Sequence, residues 1–403
     1  MRTSTAQVQE IVLKQNSDGP TSGSLTPRGQ SNVTVPVECP RIFQIVVLPG
    51  DGIGREVMTP CLELLEAATA GTDVRLQFES YEAGAENYVA TGVALPDDVL
   101  RAAAAADAIL LGAMGHPDIR YPNGTEIVPQ IDLRDHFQLF AGIRPIRAIS
   151  GVRQILADPR ARDIDFVIVR ESTEGLFAAR TESQRDGNAA VLDTMRITRT
   201  GCERLFESTF ELARRRGRNG RSPKVTCVDK ANVLPSMAFF REIFLSCAAK
   251  YPDVATDCVY VDAAALRLVK APWDLDVVVT ENMFGDILSD LGAGLIGGMG
   301  MAPSADIGAA QAVFQPCHGT APDIAGRGLA NPTAMFLSGA MMLDWLGDQH
   351  DNAGCRTAGT RLTTAVDRAF ADGTLVPTEH GGAAGTAAIT DRVQAMLQAE
   401  VGA

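Results

Sequence analysis

Two rhythms of apolar residues run along this chain, and together they predict alternating strands and helices. Ile42–Leu48 (IFQIVVL), Ala108–Leu111 (AILL), Phe166–Val169 (FVIV) and Leu275–Thr280 (LDVVVT) are short and densely apolar, the mark of buried strands. Lys224–Leu234 (KVTCVDKANVL) adds a short strand with Lys230 just past its end. Tyr260-Val261-Asp262 reads the same way, a strand delivering a polar residue to its tip. Helical spacing appears at Val57, Met58, Cys61, Leu62 and Leu65, over 201–216, and over Pro332–Trp345. It appears again at Ile287, Leu288 and Leu291, in a segment that Gly285 starts. Strand, glycine turn and helix in succession predict a doubly wound α/β layer.

The first of those turns, Gly50-Asp51-Gly52-Ile53-Gly54, is G-x-G-x-G and not the G-x-G-x-x-G of a dinucleotide fingerprint. A tight turn beside a ligand cleft explains it equally well. The loop 113–125, with Gly115, Pro117, Pro122 and Gly124, leaves the carboxyl end of a predicted strand, where α/β proteins build sites. Arg134, Arg144 and Arg170 stand near strand ends and turns. Each alone reads as a solvated charge; together they could form a fork for carboxylates. Asp286 and Asp290, at i and i+4, project from one helix face with no Lys or Arg within a turn. They are either a solvated acidic face or two oxygen ligands of Mg²⁺ or Mn²⁺.

Composition narrows the class. The 403 residues suit two domains or one large one. A net charge of −13 argues against a nucleic-acid or anionic-membrane surface. The eight cysteines are scattered, without C-x-x-C, which suits buried thiols in a reducing cytoplasm. No apolar run is long enough to span a membrane. Residues 1–40 are polar and read as a flexible leader; 178–192 are polar and irregular, an excursion or arm.

GDGIG at 50–54, VDKANVL at 228–234, YVDA at 260–263, TENMFGDILSD at 280–290 and HGTAPDIAG at 318–326 stand in one order and spacing. With them the chain, from about Ile42 onward, resembles the β-decarboxylating dehydrogenases, the isocitrate and isopropylmalate dehydrogenase family. The resemblance implies a three-layer α/β/α fold distinct from the Rossmann fold. It implies one domain from 41–139 plus 297–403 and a second, inserted one from 140–296. It implies a homodimer whose arms near 178–192 interlock, each active site borrowing Lys230 and Asp262 from the partner. By the same resemblance Asp286, Asp290 and the borrowed Asp262 are the ligands of Mg²⁺ or Mn²⁺. Arg134, Arg144 and Arg170 are the substrate-carboxylate clamp, and Lys230 and Asp262 the catalytic pair. His318, Gly319, Asp323 and Asn331 form the dinucleotide site. A carboxylate at 323 accepts hydrogen bonds from ribose hydroxyls and repels a 2′-phosphate, which points to NAD; capping of a helix is the other role for Asp323.

Three positions depart from the family. Where catalytic members place a proton-donating tyrosine this chain has Ile197, and Tyr121 or a water is the alternative donor. Gln315 stands where relatives commonly have glutamate. The turn 126–133 (EIVPQIDL) matches neither the isopropylmalate nor the isocitrate pattern. The expected function is NAD- and metal-dependent oxidative decarboxylation of a 3-substituted malate, with 3-isopropylmalate first. Isocitrate, homoisocitrate, D-malate and tartrate are the alternatives to it. A non-catalytic regulatory subunit of an NAD isocitrate dehydrogenase is the reading from outside catalysis.

Overall fold

The dense apolar runs form strands. In chain order these are β1 (Arg41–Gly50), β2 (Val74–Ser80), β3 (Ala108–Ala113), β4 (Ala141–Arg147), β5 (Asp165–Glu171), β6 (Gln184–Asp186), β7 (Ala190–Leu192), β8 (Lys224–Asp229), β9 (Ala255–Tyr260), β10 (Val277–Thr280), β11 (Pro303–Ile307) and β12 (Ala312–Pro316). The structure, a computed structural model, describes residues 40–401 other than Thr181 and Asn219. The leader expected over 1–40 therefore lies outside the described residues, but for Pro40.

Ten strands make one sheet in the order β2-β1-β3-β12-β11-β4-β5-β10-β8-β9. The outer groups are parallel, but β11 and β4 join them through antiparallel pairs. The doubly wound layer expected from the sequence is thus a mixed sheet. Apolar density reports burial and is silent on strand direction. Pro145 sits in β4 beyond the reach of β11, which pairs only with Ala141–Ile143, so one flank of the strand has no ladder for a proline to interrupt there.

Side chains alternate between the two faces, as the period of a strand demands. Phe43, Ile45, Val47, Leu110, Phe314, Ile168 and Val278 face one apolar layer with the helices Ile53–Thr69, Thr333–Gln349 and Ala353–Phe370. Val167, Val169, Val277 and Val279 face the opposite layer with the helices Arg199–Arg218 and Pro235–Ala248. Val46, Leu48, Ile109 and Leu111 face a third cluster that includes Val99 and Leu133. The architecture is three-layer α/β/α.

The segments 41–139 and 297–403 supply β1, β2, β3, β11 and β12, and 140–296 supplies β4, β5, β8, β9 and β10; the two sets meet at β11 and β4. All described residues belong to one compact unit. The irregular segment 178–192 contains an exposed hairpin of β6 and β7, which pair only with each other. Most of the cysteines in the described region are buried, while Cys258 and Cys317 are half-buried. No helix of the described residues is long and apolar enough to cross a membrane.

Candidate active site

The three arginines converge. Arg134 on the helix Pro129–Phe137, Arg144 on β4 and Arg170 near the end of β5 line one cleft of about 160 Å³. Their partner is a residue not singled out from the sequence, Asp306 on β11. Its carboxylate, 1 % exposed, accepts from Arg134 Nε at 3.0 Å, from Arg144 Nη2 at 3.0 Å and from Gln315 Nε2 at 2.8 Å. Burial acts to raise the Asp306 pKa, but Arg134 and Arg144 outweigh it and hold the group well below the usual carboxylate range. Arg144 also donates Nη1 to the Ala305 carbonyl at 2.9 Å. Arg170 is pulled down to about 10 by burial and by the like charges of Arg134 and Arg144, with Asp286 opposing them. It stays charged at neutral pH.

The acidic pair lines the same cleft. The helix carrying it begins at Asn282, three residues before the start predicted at Gly285. Buried Glu281 caps it, accepting from Phe284 N at 2.7 Å and Met283 N at 3.1 Å. Glycine is required at 285 by close approach: a Cβ there would lie 2.7 Å from both Cβ and Cγ of Arg170. That contact lets Asn282 Oδ1 accept from Arg170 Nε and Nη2 (3.0 and 2.8 Å) and lets Asp286 pair with Nη1 of the same guanidinium. The offsetting cation missing within one helical turn arrives from β5. Asp290 also lines the cleft, and burial and the neighbouring Asp286 raise its pKa. Two hard oxygen donors crowded on one face, the second disfavoured as an anion by the first, suit a divalent cation. Among the described residues no three His, Cys, Asp or Glu side chains of one chain come together as a complete ligand set.

The glycine turn is a structural joint. Gly52 has φ +54, and a Cβ there would lie 2.2 Å from the Thr320 carbonyl; Ile53 N donates to that same oxygen at 2.9 Å. Between the glycines, fully buried Asp51 accepts from the backbone of Ala85, Glu86 and Gly115, each at 2.8 Å. Asp51→Ala strands these donors in the interior, so a loss of at least ~3 kcal/mol is expected from unsatisfied buried N–H groups. A melting temperature within a degree or two of wild type would reject this role.

The turn holds the loop after β12 against the cleft. His318 and Gly319 line it. His318 Nδ1 lies 2.9 Å from the Gly319 carbonyl, whereas its Nε2 is buried without a protein partner. Burial pushes the imidazole pKa down, so the ring is neutral at neutral pH. Glu56, absent from the sequence reading, accepts from Gly326 N at 3.0 Å and Ala330 N at 3.2 Å and so ties down the rest of this loop. Asp323 sits exposed in a turn where no helix begins, so the capping role is not what it serves. Asn331 faces inward: its Oδ1 accepts from Thr333 N and Oγ1, and its Nδ2 donates to Glu379 at 2.6 Å.

Lys230 and Asp262 do not line this cleft. They pair with each other at 2.8 Å, Lys230 past the end of β8 and Asp262 in the first turn of the helix Val261–Lys270 rather than on a strand tip. Ile197 packs against the cluster of Phe206, Phe240 and Phe244. Tyr121 stacks edge-on against Tyr88 at 5.2 Å, beside Ile127, and does not line the cleft.

A model of the isocitrate/isopropylmalate dehydrogenase family matches residues 44–393. The chain belongs to that family. Its relatives include the 3-isopropylmalate/3-methylmalate dehydrogenase of Methanocaldococcus jannaschii, 39 % identical over 360 residues, covering 89 % of this chain and 100 % of that one. The 3-isopropylmalate dehydrogenase of Archaeoglobus fulgidus is 39 % identical over 356 residues, covering 88 % and 99 %. Among solved structures, the isocitrate dehydrogenase of Methylococcus capsulatus superposes with a TM-score of 0.77 at 35 % identity, covering 88 % of this chain and 99 % of that one. A β-decarboxylating dehydrogenase of Thermococcus kodakarensis gives 0.71 at 33 %, covering 89 % and 97 %. This dehydrogenase therefore shares its fold with members named for both substrates.

Proposed function

We propose that this dehydrogenase oxidises and decarboxylates a 3-substituted malate with NAD and Mg²⁺ or Mn²⁺, and that 3-isopropylmalate is the substrate. The observation that carries the reading is one cleft lined by three guanidiniums together with Asp286 and Asp290. Relatives named 3-isopropylmalate dehydrogenase support the choice of substrate.

Arg134, Arg144 and Arg170 hold the carboxylates and orient the bond to be broken. Asp286, Asp290 and Asp262 of a second copy would hold the cation, which would supply Lewis-acid polarisation of the substrate's oxygens, and NAD would supply the hydride acceptor. Lys230 of that second copy would accept the hydroxyl proton, directly or through water, as the neutral amine, with Asp262 turned from it to the cation. The orphaned Nε2 of His318, the exposed backbone of Gly319 and the exposed carboxylate of Asp323 suit the dinucleotide, with Asn331 as a neighbouring support. The two blocks of the sheet are the two domains. The helices bearing Asp262 and Asp286 also carry exposed Leu266, Val269 and Ile287, an apolar face that suits a homodimer sharing its active sites across the interface. The exposed hairpin of β6 and β7 is the clasping arm. The acidic net charge and the absence of a membrane-crossing helix among the described residues agree with a small-molecule enzyme of the cytoplasm.

The deciding experiment offers purified protein NAD, Mn²⁺ and a panel of 2-hydroxy diacids that includes isocitrate, homoisocitrate, D-malate and tartrate, and follows reduced coenzyme. Absence of turnover throughout would favour the regulatory subunit that Ile197, an aliphatic residue in the proton donor's place, also suits. Asp323→Lys should move preference towards NADP by about tenfold or more, because the charge facing the 2′ position changes sign. An unchanged NAD/NADP ratio of kcat/KM would remove Asp323 from the coenzyme site.

A further inference from the structure

Asp306 puts a permanent carboxylate inside the substrate clamp. It consumes Arg134 Nε and one amino group of Arg144. Arg144 donates its other amino group to the Ala305 and Ile143 carbonyls, and each nitrogen of Arg170 already donates once, to Asn282 or Asp286, so these two keep only single N–H groups for a substrate. Among the described residues, the two terminal amino groups of Arg134 form the one complete guanidinium fork in the cleft without a protein partner. A fork of that shape holds one carboxylate bidentately.

The surroundings keep Asp306 where it is. It lies opposite Gly142 in the sheet, where a Cβ would come within 3.1 Å of its Oδ1. Gln315, on the neighbouring strand, offers an amide N–H to its Oδ2 at 2.8 Å. A glutamate at 315 would set a second anion there with no proton to donate. The amide at 315, one of the departures from the family noted in the sequence, is thus a partner of Asp306.

We propose that Asp306, supported by Gln315, is a positioning residue that sets substrate class. It preorganises Arg134 and Arg144 and cancels part of their charge, so the cleft takes hydroxy acids with two carboxylates and a neutral substituent and disfavours those with three. The inference rests on the reading of this cleft as a hydroxy-acid site. Each additional carboxylate would face a like charge a few ångströms away in a partly desolvated cleft, which at an effective dielectric near 20 corresponds to about tenfold or more in affinity.

Two non-reactive probes test it without turnover: 2-methylsuccinate, with two carboxylates, and tricarballylate, with three. Calorimetric titration uses full-length protein at neutral pH and low salt, without metal or coenzyme. Wild type should bind methylsuccinate more tightly. Asp306→Asn, which keeps the shape and removes the charge, should shift the ratio of the two Kd values towards tricarballylate by about tenfold. Should that variant fail to fold by circular dichroism, Gln315→Glu reads the same property with the opposite sign, penalising tricarballylate further. A ratio unchanged in either folded variant, or a wild-type preference for tricarballylate, overturns the proposal. Because neither probe reacts, failure to oxidise any hydroxy diacid would count against the proposed dehydrogenase reaction and leave this ratio readable.

Discussion

A Lys230→Ala chain and an Asp286→Asn chain, each inactive alone, should recover about a quarter of wild-type activity when refolded together in equal amounts. Each substitution separately removes proton transfer or a carboxylate from the reacting end of the cleft, and losses of roughly 10²–10⁴-fold are usual for such groups. Recovery follows from where the residues lie. Asp286 lines the arginine cleft of its own chain, whereas Lys230 and Asp262 pair with each other outside it. If Lys230 is contributed by a second copy, a mixed dimer has one site with both natural residues and one with neither. Random pairing makes about half the dimers mixed, each with one working site of two. Asp286→Asn also takes away the anion that pairs with Arg170, so the control is a melting curve of each homodimer. No recovery from two well-folded variants would return both residues to a single chain and end the shared-site reading.

Gly285→Ala should lower kcat by about a hundredfold while leaving the protein folded. On helix propensity alone the change would stabilise, by about 0.8–1 kcal/mol. The new methyl, however, would stand 2.7 Å from Cβ and Cγ of Arg170, a side chain fixed by Asn282 and Asp286 with little room to yield. Overpacking of this kind costs about 1–3 kcal/mol, so the clash wins and the melting temperature should fall slightly. The larger effect is on chemistry, since a displacement near 1 Å in a positioned group costs about 10² in rate. A raised melting temperature with unchanged kcat would show that the helix accommodates the methyl and that Arg170 does not depend on its fit.

These two outcomes mark different degrees of legibility. Asp286 and Asp290 were readable as a pair because an i, i+4 spacing fixes a shared helix face whatever the tertiary context. Arg134, Arg144 and Arg170 were readable only as candidates, since 36 residues separate the first from the last along the chain and only the sheet and its flanking helix bring them into one cleft. Asp306 gave no sign at all. In PSADIG it is one more acidic residue, and its meaning comes from lying opposite Gly142 in the sheet and beside Gln315. Glu56 and Asp51 escaped for the same reason: each accepts from backbone groups of distant loops, and no local spacing encodes that. Glu281 capping a helix from Asn282 was closer to legible, as a carboxylate ahead of the run is an ordinary start signal.

The sequence by itself determined the most apolar strands, several of the helices, the family and the face on which the acidic pair stands, because periodicity and short motifs act over a few residues. Only the tertiary structure decided the direction of the central strands, the contact that makes Gly285 necessary, and the carboxylate to which two clamp arginines are tied. Those depend on which distant backbones pack within a few ångströms of each other, and burial then turns such neighbours into strong electrostatic partners.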